Sequence, residues 1–71
     1  MKVTTFRGAV VSVARFSEGA VVLHHGAPPQ GEPEPAHVVG FVAGPNGLRV
    51  VIRKQVTGLP LQVEFSSVQV L

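Results

Sequence analysis

From Leu48 to Arg53 the chain reads Leu-Arg-Val-Val-Ile-Arg. In an extended strand this puts Leu48, Val50 and Ile52 on one face and Arg49, Val51 and Arg53 on the other. The same period of two recurs in Leu61, Val63 and Phe65, which alternate with Gln62 and Glu64. No stretch of similar length carries a 3.6-residue period, so no helix longer than one turn is expected. Valine dominates the runs between glycines, and its branched Cβ favours strands. The expected fold is all-β, with six or seven short antiparallel strands near 2–7, 9–16, 20–25, 37–43, 48–56, 61–65 and 68–71. Strands this short close most simply into a small single-domain barrel or a folded-over sandwich, which removes exposed edges.

The turns are equally legible. Gly44-Pro45-Asn46-Gly47 is expected to close a hairpin between 37–43 and 48–56, because Asn-Gly accepts the positive φ of tight turns. Ser17-Glu18-Gly19 is expected to close a second one, between 9–16 and 20–25. The two segments resemble each other, since Val10-Val11 and Val38-Val39 each precede seven residues, a glycine and an apolar run. Two equivalent hairpins would follow if that likeness is a true repeat.

Between them lies Gly-Ala-Pro-Pro-Gln-Gly-Glu-Pro-Glu-Pro, residues 26–35, with four of the chain's six prolines. The flanking pieces are too short to be separate domains. The segment therefore reads as a loop joining two hairpins of one domain, stiffened toward polyproline II and projecting from the surface.

A chain of 71 residues buries only about 60% of the surface its unfolded form exposes. Such a domain needs reinforcement, and with no cysteine it has neither disulfides nor a thiolate metal cluster. Apolar residues make up 45% and charged residues 14%, the balance of a folding chain. No apolar stretch follows the N-terminal lysine as in a signal peptide, and no run reaches the roughly 18 apolar residues of a membrane span. The expected surroundings are the cytoplasm or a virion, without a membrane partner.

Catalysis finds little footing. There is no Asp and no Cys, and Glu32 and Glu34 stand in the proline-rich segment. A hydrolytic triad or a paired-carboxylate site therefore cannot be assembled, and no enzyme or cofactor is expected. His24, His25 and His37 suggest metal ligation. Adjacent histidines in a strand point to opposite faces, so only one of the first two can join His37, and no metal site is assigned.

Two interaction readings remain. The first is a structural module acting in a homo-oligomer or on a larger protein assembly; a capsid-decorating or tail-associated virion protein would be one instance, by analogy alone. Four strands contain a Val-Val pair, which places one valine on each face. If Val21, Leu23, Val39, Phe41, Leu48, Val50 and Ile52 fill the interior, then Val22, Val38, Val42 and Val51 form an outward apolar patch. Docking through Pro28, Pro29, Pro33 and Pro35 would add to it. The alternative is a small-barrel nucleic-acid binder using Arg15, Arg49, Arg53 and Lys54, although the net charge is only +2 and there is no Trp or Tyr for base stacking.

Overall fold

The structure, a computed structural model, describes residues 1–26 and 32–71. Seven strands are present among them: β1 (Lys2–Thr4), β2 (Val10–Ser12), β3 (Val21–His24), β4 (Glu34–Gly44), β5 (Gly47–Lys54), β6 (Pro60–Val63) and β7 (Val68–Val70). Short 3₁₀ turns occupy Phe6–Gly8, Val13–Phe16 and Phe65–Ser67. The all-β class holds. Among the described residues no helix is long and apolar enough to cross a membrane.

β1 and β2 form a two-stranded antiparallel sheet, and the others form a five-stranded antiparallel sheet in the order β6-β5-β4-β3-β7. The barrel is not closed, because β6 and β7 are the two edges of that sheet and do not pair. The sheet instead folds over a core of Phe16, Val22, Ala36, Val38, Val50, Ile52, Val63, Phe65 and Val68, with Val3 of β1 and Val11 of β2 packed against it. Phe16 and Phe65 meet edge to face, 5.0 Å between centroids, the arrangement aromatic quadrupoles favour.

The β4–β5 hairpin forms as expected, with Gly44 opposite Gly47. Its turn differs in detail: only Gly47 has a positive φ, at 117°. The Ser17-Glu18-Gly19 hairpin does not form. β2 pairs with β1, and 13–16 is a 3₁₀ turn that drives Phe16 into the core. The following bend is held by β4, where the Gly19 amide donates to the Val38 carbonyl and the Val38 amide to the Ala20 carbonyl. No pair of equivalent hairpins exists, so the likeness of the two segments does not extend to their folding.

β3 pairs directly with β4, from Val21 opposite His37 to His24 opposite Glu34. The proline-rich segment thus closes one hairpin and does not join two. Pro28 and Pro29 lie outside the described residues. Pro33 is exposed just before β4, whereas Pro35 is inside the strand, opposite Leu23. Proline is tolerated there because it contributes its carbonyl, which accepts from the Gln55 amide at 3.3 Å.

A β-bulge in β4 sets the side-chain phase. Val38 faces Ile52 and Gly40 faces Val51, leaving Val39 as the extra residue. Before the bulge Ala36 and Val38 point inward. After it Phe41 and Ala43 do, opposite Val50 and Leu48. Straight alternation along β4 therefore fails, and the outward assignment of Val38 is overturned: it is 1% exposed. Val22 is overturned as well, at 0% exposed, because it pairs with Ala36 on one side and Val70 on the other, both on the inner face. Conversely Val21, expected inside, is 46% exposed, and Leu23 and Val39 are only half-buried. Val50 and Ile52 are in the core as expected, while Phe41 and Leu48 lie at its open end, 43% and 36% exposed.

Candidate functional site

Paired residues on neighbouring strands point to the same face, so the register identifies the outer surface of the five-stranded sheet. It carries Val21 and Leu23 from β3, Pro35, His37 and Val42 from β4, and Arg49, Val51 and Arg53 from β5. The bulge adds Val39 and Gly40 against Val51. Val42 and Val51 thus lie where the sequence places them, half-buried by their neighbours in the sheet. They are joined by Val21 and Leu23 in place of Val22 and Val38. An antiparallel sheet with one wet face normally alternates apolar-in and polar-out. Here apolar side chains run across three strands of the outer face, while the β1–β2 sheet packs on the opposite, core side.

The basic residues do not converge. Arg49 and Arg53 share the outer face, but Lys54 pairs with Ala36 on the inner one, and Arg15 is on the 3₁₀ turn Val13–Phe16. Each is engaged within the chain. Arg49 meets Glu64 at 3.6 Å, Lys54 meets Glu34 at 3.0 Å, Arg15 donates to the Leu71 carbonyl at 3.3 Å, and Arg53 donates to the Gly58 carbonyl. An exposed pair such as Arg49–Glu64 contributes about 0–1 kcal/mol.

The histidines separate too. His24 points inward between Glu34 and Val68, and His37 points outward opposite Arg53. Among the described residues no three potential ligands come together around a metal position. His24 Nδ1 is buried without a hydrogen-bond partner. Burial, then the nearby Lys54 ammonium and to a lesser extent His25, lowers its pKa below 6.5 against the opposing pull of Glu34. The fold therefore disfavours the proton that the unfolded chain accepts near pH 6.5. The neutral-His24 contribution is fully present above that pH and is lost as pH falls toward the lower folded value. The melting temperature should accordingly drop between pH 7.5 and 5.5. His24→Leu, which removes both the proton site and the orphaned nitrogen, should flatten that slope; an unchanged slope would place its origin elsewhere.

A second constellation lies where the β1–β2 hairpin meets β3 and β7. A cleft of about 400 Å³ is lined by Phe6, Arg7, Val11, His25, Gln69 and Val70, among others. The turn at its mouth is closed by Gly8 N–H donating to the Thr5 carbonyl, while buried Thr5 donates its hydroxyl to the Ala9 carbonyl at 2.9 Å. This places Arg7 at φ 62°, ψ 25°, among the described residues the only non-glycine with a positive φ. For a residue with a Cβ that conformation costs roughly 1–2 kcal/mol. The His25 ring stacks on Phe6 with centroids 3.6 Å apart and planes within 4°. Its Nε2 lies 2.9 Å from Gln69 Oε1, and its amide donates to the Ser67 carbonyl at 2.8 Å. The Arg7 guanidinium sits 5.3 Å from the Phe6 centroid and makes no ion pair among the described residues.

None of Phe6, Arg7 or Gln69 stands out in the sequence as a site residue. The one local signal is Arg7-Gly8 between the β-branched runs Val3-Thr4-Thr5 and Val10-Val11, which marks a turn. His25 and Gln69 are brought together only by the pairing of β3 with β7 across more than forty residues. No protein-family model, no curated protein and no solved structure matches this chain.

Proposed function

We propose that the protein is a non-enzymatic assembly module that works as a homo-oligomer, packing the outer faces of its five-stranded sheets together. One observation supports the reading above others: Val21, Leu23, Val39, Val42 and Val51 put apolar side chains on the outer face across β3, β4 and β5, the side away from the core. A sheet apolar on both faces is built as a middle layer. Arg49, Arg53, Gln62 and His37 are interleaved with these apolar residues and supply the polar contacts an interface also needs. A standard interface takes about 800 Å² per partner, roughly a sixth of the 4556 Å² that one chain exposes. Burial of that size would also reinforce a small core that lacks disulfides.

Sedimentation at micromolar concentration tests this directly. The wild type should sediment as a discrete oligomer, and Val51→Lys and Val42→Lys should be folded monomers, because a lysine in the centre of a dry interface has no counter-charge. A monomeric wild type, or variants that stay assembled, would overturn the reading.

A further inference from the structure

We propose that the cleft between the β1–β2 turn and the β3–β7 pair binds a small planar anion, an aromatic or heteroaromatic ring carrying a phosphate or carboxylate. Three features of the cleft favour such a ligand.

First, its walls demand an apolar body. Val11, Val70 and the Phe6 ring line a space of about 400 Å³, within the usual range for small-molecule sites. Second, its aromatic element is already positioned. The His25 ring is fixed by the stack on Phe6, by Gln69 Oε1 and, through its main chain, by the Ser67 carbonyl. A planar ligand that extends this stack meets side chains that need little ordering. Third, a cation waits at the mouth. Arg7 is held there by a backbone conformation that glycine adopts without strain, and its guanidinium has no acidic partner among the described residues. Strain retained next to a cleft points to function, and a planar guanidinium is suited to bidentate contact with phosphate or carboxylate. An inorganic anion would leave the apolar walls wet, while a neutral ring would leave the guanidinium, which lies over Phe6, without a counter-charge. A ligand with both parts satisfies the whole site.

The test is an amide and His-ring NMR titration with phenyl phosphate and, in parallel, adenosine monophosphate, against inorganic phosphate and benzyl alcohol as half-ligands. The expected result is saturable shifts at Phe6–Ala9, His25, Gln69 and Val70, with each half-ligand at least tenfold weaker than the aryl phosphate. Equal affinity for phenyl phosphate and the nucleotide would mean a general site for ring-bearing anions; preference for the nucleotide would narrow the class to nucleotides. Arg7→Gly should melt no lower than the wild type, since φ 62° suits glycine, yet bind at least tenfold more weakly. Arg49→Gln, remote in the sheet, should bind normally, and so should the outer-face variant Val51→Lys, which separates this proposal from self-association. No saturable shift at 10 mM phenyl phosphate and nucleotide, inorganic phosphate binding as tightly as either, or undiminished binding by Arg7→Gly would each refute it.

Discussion

Phe16→Ala should lose about 3–5 kcal/mol of stability, the usual cost of emptying a fully buried phenylalanine site. At roughly 0.05–0.15 kcal/mol per residue, a chain of 71 residues has about 4–11 kcal/mol in all, so this loss takes a large share of it. Phe16 is 0% exposed and meets Phe65 edge to face. It comes from the turn linking β2 to β3, so it pins the small sheet to the large one. The expected readout is a melting temperature lower by about 12–40 °C, or no cooperative transition at all. A drop of only a few degrees would mean that the core closes without this ring.

Two neighbouring valines in β3 should respond in opposite ways to the same substitution. Val22→Lys forces an ammonium into a position that is 0% exposed, between Ala36 and Val70. With no acidic partner in that core, it should unfold the chain. Val21→Lys puts the same charge on the outer face, at a position 46% exposed. Compared at a dilution where both proteins are monomeric, it should change stability by no more than about 0.5 kcal/mol. Circular dichroism melts of the two variants decide the matter. Equal tolerance at 21 and 22 would contradict the inward phase of Val22 and, with it, the register that defines the outer face.

That inversion shows where local reading reaches its limit. Val21, Val22 and Leu23 are all apolar, so β3 offers both phases equally to the core. The choice is made by partners far along the chain, Ala36 and Val70, whose pairing with Val22 sets which side is covered. In β4 the obstacle is the bulge. Counting by twos from Phe41 puts Val39 inside and Val38 outside, and only the extra residue opposite Val51 restores Val38 to the core. A single insertion in a strand leaves no mark in composition, yet it exchanges the faces of everything before it.

The candidate cleft was out of reach for a related reason. Phe6, His25 and Gln69 belong to the β1–β2 turn, the end of β3 and β7, and they meet because β7 returns to pair with β3. Antiparallel pairing between distant segments depends on which edges are free after the local hairpins form, and that is a property of the assembled sheet.

The all-β class, the count of six or seven short strands and the β4–β5 hairpin are legible in the chain's local pattern. Each of these follows from interactions within a few residues: β-branched side chains that prefer extended backbone, alternation over four to eight positions, and a glycine at 47 free to adopt positive φ. Long-range contacts decided that β2 turns back onto β1, that β3 pairs directly with β4, and that Val22 and Val38 are core while Val21 and Leu23 lie on the outer face. They also left the sheet open between β6 and β7. Where apolar residues occupy both phases of a strand, local energy is nearly indifferent to which face is buried, and only long-range packing around Phe16 and Phe65 selects one; which strands pair is likewise chosen among distant edges of the assembled sheet.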